Sequence, residues 1–143
     1  MARRAGETIG PFEIIQFLGA GGSGEVYKVK RDDGAVFALK VLTSTAPETA
    51  ERFMRELAAT PKHPHIRPVY RAGAEPDGTR WLEMAFLDGA SLREVLDRRR
   101  LGWAEIVRLG AQVCDALEAT HRLHVVHRDL KPENLFVDSD ALR

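Results

Sequence analysis

One cysteine, no long apolar run and no excess of either charge set the first limits on this chain. The lone Cys114 excludes an internal disulfide and fits a reducing compartment. No stretch approaches the roughly 20 apolar residues that a spanning helix needs. The basic start Ala2-Arg3-Arg4 has no apolar run behind it, so the sequence predicts neither a membrane segment nor a secretory signal. On these grounds a cytoplasmic protein is expected. Twenty-one basic residues against 21 acidic ones give no net field to gather nucleic acid or an anionic membrane. There is no internal repeat and no low-complexity linker. What is present, 44% hydrophobic residues in 143, suffices for one ordinary globular core and excludes a disordered tail.

The most informative stretch is His127-Arg128-Asp129-Leu130-Lys131-Pro132-Glu133-Asn134. Val125 and Val126 precede it and Leu135, Phe136 and Val137 follow, so two short strand-like runs bracket a polar loop with proline inside. The loop carries a carboxylate (Asp129), an ammonium (Lys131) and an amide (Asn134), respectively a proton acceptor, a phosphate-binding cation and an oxygen ligand for a hard metal. Phosphoryl transfer from a magnesium nucleotide to a hydroxyl uses all three together. The stretch resembles the catalytic loop of eukaryotic-like protein kinases. Lys131-Pro132-Glu133 is similar to the filling found in serine/threonine kinases, as in the bacterial Hanks-type enzymes.

Upstream, Gly19, Gly21 and Gly24 lie between two strand-like stretches, Phe12 to Leu18 and Glu25 to Lys30. Glycines let a backbone turn sharply and bring its amides close to an anion. A dinucleotide site would need a helix to open at the third glycine, whereas the residues after Gly24 read as strand. A turn at Asp32-Asp33-Gly34 and a third strand, Val36 to Leu42, come next. That strand contains Phe37-Ala38-Leu39-Lys40, which resembles the kinase Val-Ala-Ile-Lys. A helix is predicted from about Pro47 to Ala59, with Ser44 or Thr45 as cap and Phe53, Met54 and Leu57 on its apolar face. Two more strands, Arg67 to Glu75 and Arg80 to Phe86, flank the turn Pro76-Asp77-Gly78. Ser91 and Glu94 form a capping box for a short helix to Arg99.

From Trp103 to His121 a longer helix places Ile106, Leu109, Gly110, Val113, Leu117 and His121 on one stripe, with Cys114 expected as a small buried side chain. Arg98-Arg99-Arg100 reads as a solvated helix end, where positive charge suits the dipole. His121, His124 and His127 are spaced like a metal face only if the helix ran on, and Val125 and Val126 break that pattern. His63 and His65 have no Cys or carboxylate nearby to complete a ligand set, so a capping or packing role is expected.

The resemblance implies an α+β, protein-kinase-like fold: a five-stranded antiparallel small lobe with one main helix, then the first helices and catalytic loop of an incomplete large lobe. It divides the chain into a flexible lead (1–11), the small lobe and hinge (12–87) and the start of the large lobe (88–143). It implies ATP and Mg2+ as cofactors and a protein Ser or Thr hydroxyl as acceptor. Asp129 would orient that hydroxyl, Lys131 would steady the phosphoryl group and Asn134 would bind magnesium. Lys40, paired with Glu56, would hold the phosphates under Gly19, Gly21, Ser23 and Gly24. Leu18, Val26, Ala38 and Phe136 would surround adenine, Met84 would be the gatekeeper, and the backbone of Ala85 and Leu87 would meet the adenine edge. The sequence stops before any Asp-Phe-Gly, the family's main metal ligand. A non-catalytic nucleotide-binding module and an inactive fragment therefore remain as alternatives, and an uncovered apolar helix stripe is expected.

Overall fold

The computed structural model of the chain describes residues 2–21, 24–42, 46–48, 51–52, 54–55, 60–126 and 130–139. Two compact units are present, one formed by residues 1–60 and 67–86, the other by 61–66 and 87–143.

The first unit is an antiparallel sheet in the order β1-β2-β3-β4-β6-β5. Its strands are β1 (Thr8–Ile9), β2 (Phe12–Gly21), β3 (Gly24–Lys30), β4 (Val36–Val41), β5 (Val69–Ala74) and β6 (Arg80–Ala85). Alternation along the strands produces two apolar faces. Ile9, Phe12, Ile14, Tyr27, Val29, Leu39, Val41 and Trp81 form one cluster, and Ala38, Leu82 and Met84 form the other, with Val26, Leu42, Val69 and Ala72 against it. The β3–β4 turn closes as its residues require: Gly34 takes φ +81°, its N–H donates to the Arg31 carbonyl at 2.9 Å, and the Ala35 N–H donates to Asp33 Oδ1. The β5–β6 turn repeats this, with Gly78 at φ +89° and the Thr79 N–H on Asp77 Oδ1. The Thr79 amide, followed by its hydroxyl, holds the Asp77 carboxyl below its usual range.

Three sequence expectations change in this unit. Part of the expected lead is tied to the sheet: Thr8–Ile9 pairs with Phe12 and Glu13, Ile9 is buried, and the Arg3 N–H donates to the Tyr27 hydroxyl at 2.9 Å. A two-residue strand has too few alternations to register as a pattern, and it is the cluster beneath Ile9 that orders it. The five expected strands are thus joined by a sixth at the edge. Strand β2 also runs on through Gly19 and Gly21, because β3 supplies partners for residues with poor strand propensity.

The sheet also buries a charge: Glu83 is almost wholly buried, with its Oε2 2.8 Å from Arg71 Nε and its Oε1 3.9 Å from Arg31 Nη1. A buried carboxylate without such partners would be strongly destabilising. Arg31 also stacks over Phe37, 4.4 Å from its ring centre. At residues 47–48, 51–52 and 54–55 the backbone is helical; Ser44, Thr45, Phe53, Glu56, Leu57 and Ala59 of the expected helix lie outside the described residues.

The second unit contains β7 (Gly89–Ser91), α1 (Leu92–Arg98), α2 (Trp103–Arg122), a 3-10 turn (Pro132–Asn134) and β8 (Phe136–Asp138). Strand β7 pairs antiparallel with β8, setting Gly89 opposite Asp138 and Ser91 opposite Phe136. The capping box forms as expected: Ser91 Oγ accepts from the Glu94 N–H, and the Glu94 carboxylate accepts from the Ser91 N–H at 2.7 Å. Glu105 does the same for the start of α2, accepting from Gly102 N–H at 2.8 Å and from both Arg99 nitrogens. The Arg99 guanidinium, followed by the Gly102 amide, holds the Glu105 carboxyl down to about 2. At His63, Nδ1 accepts from the His65 N–H at 3.1 Å, a local turn contact.

Helix α2 has no buried residue among those described: Trp103 is 79% exposed and Val107 53%. Cys114 is exposed as well, which corrects the expectation of a buried thiol. Gly110, Ala111 and Leu117 lie one turn away on the helix, but burial needs a packing partner, and no described element covers it.

His124 finds an explanation here. It has φ +59°, its N–H donates to His121 O, and the Val125 N–H donates to Thr120 O, the paired bonds of a Schellman ending. A left-handed backbone costs a residue with a Cβ about 1–2 kcal/mol. His124→Gly is accordingly expected to raise unfolding stability by about 1 kcal/mol, measured by urea denaturation, and His124→Val to lower it.

Candidate functional site

Within the first unit, strand register assembles one set of expected residues on one face. Val26 lies opposite Lys40, and Ala38 opposite Met84. Since Leu39 and Val41 are buried in the other cluster, alternation sends Ala38 and Lys40 to the face of Leu82 and Met84. Ala38 is fully buried there and Met84 is 8% exposed. The Ala85 N–H donates to the Pro68 carbonyl at 2.9 Å, so the carbonyl is the group of Ala85 left as a candidate for a base edge.

At the end of the β2–β3 hairpin, Gly21 pairs with Gly24 and Gly19 with Val26, while a register shift leaves Leu18 in a bulge, 42% exposed. The glycines differ in what demands them. At Gly24, with φ +154°, a side chain would strike the Val41 carbonyl, so this glycine answers to the end of β4. Around Gly19 and Gly21 the space a Cβ would occupy is open among the described residues, and a ligand could approach the backbone there. Ser23, expected over the phosphates, lies outside the described residues, as does Glu56, the expected partner of Lys40.

The second unit carries the other set. Leu87 is half-buried ahead of β7. Lys131 is extended, with φ −156° and ψ 162°, and its carbonyl accepts from the Asn134 N–H at 2.9 Å, closing the 3-10 turn. Leu92 N–H donates to Leu135 O at 2.7 Å and Arg93 Nε lies 3.3 Å from Glu133 Oε1, so α1 is tied to the middle of that turn and to the residue that follows it. Phe136 is 41% exposed while its neighbour Val137 is buried, as alternation in β8 requires. Asp129 lies outside the described residues, with His127 and Arg128.

The donor chemistry fits the two groups the motifs imply. A cation, an apolar floor with a methyl at its centre and open space beside two glycines suit a nucleotide. A carboxamide oxygen suits a hard divalent cation. Among the described residues, no cluster of three His, Cys, Asp or Glu could hold a metal by itself.

Comparison with known proteins decides the family, since the sequence profile described as "Protein kinase domain" matches residues 12–143. The chain belongs to the protein kinase family. Serine/threonine-protein kinase PknH of Mycobacterium bovis is 37% identical over 144 residues, covering 96% of this chain and 24% of that protein. PknF of Mycobacterium tuberculosis is 38% identical over 145 residues, covering 92% of this chain and 29% of that protein. The crystal structure of the Mycobacterium tuberculosis PknI kinase domain superimposes with a TM-score of 0.78 at 32% identity, covering 97% of this chain and 59% of that one. The chain thus spans about a quarter of the curated relatives' length. In family terms the six-stranded unit is a kinase small lobe, and the second unit holds the first elements of a large lobe.

Lys28, Phe86 and Glu83 drew no attention in the sequence. For Lys28 a signal existed, because it alternates with the buried Tyr27 and Val29 and so shares a face with Val26.

Proposed function

We propose that this chain is the nucleotide-binding and catalytic-loop part of a serine/threonine protein kinase, which transfers the γ-phosphoryl group of Mg-ATP to a Ser or Thr hydroxyl of a protein in the cytoplasm. The observation that carries the reading is the shared face on which Val26, Ala38, Lys40 and Met84 sit across neighbouring strands. Ala38 and Val26 bound the base, Met84 closes the apolar end, and the carbonyl of Ala85 and the N–H of Leu87 meet its edge. Lys40, oriented by Glu56, holds the α and β phosphates, and the amides around Gly19 and Gly21 cover them. Phe136 offers a flat apolar surface to the base. Asp129 orients the acceptor hydroxyl and takes its proton, Lys131 offsets charge on the moving phosphoryl oxygens, and Asn134 contributes an oxygen ligand. Magnesium, when bound, neutralises phosphate charge.

Binding of Mg-ATP to the 143-residue chain, followed by titration calorimetry, tests the nucleotide half. Lys40→Met should weaken it about 10- to 100-fold, the loss of one charged hydrogen-bonding group. A chain that binds no Mg-ATP would remove the reading. Binding without phosphoryl transfer by the full-length gene product would identify the non-catalytic alternative instead.

A further inference from the structure

Strand β4 separates β3 from β6: Lys28 pairs with Ala38, and Ala38 with Met84. Even so, the Lys28 ammonium stands 4.5 Å from the ring centre of Phe86, the residue that follows β6. Two strand spacings, about 10 Å, are therefore bridged by the two side chains. Because Tyr27 and Val29 are buried in the opposite cluster, Lys28 lies on the face of Val26 and Lys40, and the bridge passes over β4 beside Ala38.

A cation is drawn to the negative face of an aromatic ring, and more strongly where water is partly excluded. Both partners are half-buried. Phe86 lies outside the strand ladder, so no strand pairing holds its backbone in place. What its ring rests on then has a large say in where residue 86 sits and in how the peptide link after Ala85, the last paired residue, is turned.

We propose that Lys28 is a positioning residue for the nucleotide base: through Phe86 it sets the peptide link between Ala85 and Phe86, whose carbonyl would meet a purine edge, although Lys28 itself binds no phosphate. This rests on the nucleotide reading above. The contact acts on the base and not on the phosphates, which separates it from the role given to Lys40.

The test compares dissociation constants of the 143-residue chain for Mg-ATP, Mg-GTP and magnesium tripolyphosphate. Lys28→Met keeps the length of the side chain and removes its charge. It should weaken Mg-ATP about fivefold, shrink the ATP-over-GTP ratio and leave tripolyphosphate unchanged. Lys28→Arg, which keeps a cation over the ring, should restore the parent values. Phe86→Leu, which keeps bulk without a π face, should reproduce the Met pattern and serves if Lys28→Met does not fold. Parent-like ATP affinity and base preference in Lys28→Met and Phe86→Leu overturn the proposal, as does an equal loss for tripolyphosphate, which would make Lys28 a phosphate ligand. If the parent chain binds no Mg-ATP, the nucleotide reading fails first and takes this one with it.

Discussion

Asp129→Asn in the full-length gene product is expected to lower kcat for phosphorylation of a Ser/Thr peptide by about 100- to 10,000-fold, with little change in KM for ATP. The substitution preserves shape and removes the one property the role depends on. A carboxylate accepts the hydroxyl proton and keeps the oxygen aimed at phosphorus, whereas a carboxamide presents a donor at one position and a weaker acceptor at the other. Positioning and electrostatics supply nearly all of the catalysis in phosphoryl transfer, so a group at the acceptor oxygen weighs heavily. The unchanged KM separates this outcome from Lys40→Met, where nucleotide binding is what suffers. Single-turnover transfer from labelled ATP measures the step directly. A rate equal to the parent's would remove Asp129 from the mechanism.

Phe12→Ala is expected to destabilise the small lobe by about 3–5 kcal/mol, the usual cost of emptying an aromatic site in a packed core. Phe12 has no exposed surface and meets Trp81 edge to face at 4.9 Å, with an interplanar angle of 82°. Ile9, Ile14 and Leu39 belong to the same cluster, and the strands that carry them hydrogen-bond to their neighbours, so the hole cannot close by local collapse. Whole domains keep only about 5–15 kcal/mol in hand, so the variant should unfold near room temperature or in very little urea. Trp81 reports the event in a Trp103→Phe background, since the chain has two tryptophans and Trp103 is 79% exposed. Phe17→Ala, at 42% exposure, serves as the comparison and should cost much less. A loss below about 1 kcal/mol at Phe12 would mean that β1 and β2 are not packed as described.

Several features were legible from local chemistry alone. Glycine in each of the two hairpin turns, the Ser91–Glu94 box and the α2 stripe each follow from residues a few positions apart. Among the candidate site residues, Val26, Ala38, Lys40 and Met84 were named from the resemblance, and the sheet register places them on one face. Other features were hidden because their cause lies far along the chain. Thr8–Ile9 is ordered by a cluster drawn from β2, β3, β4 and β6. Glu83 looks like a solvated strand glutamate until Arg31 and Arg71 close around it. Cys114 looked buried because periodicity shows which helix face is apolar, and only a packed neighbour can cover that face.

Sequence by itself determined the family, the order of its elements and the identity of the chemical groups, because motifs, turns and caps are local and their residue types admit few substitutes. Tertiary structure alone decided that Lys28 spans β4 to reach Phe86, that Gly24 answers to the Val41 carbonyl and that Thr8 and Ile9 join the sheet. Each of these is a contact between residues distant in the chain, and only strand register brings such residues within reach.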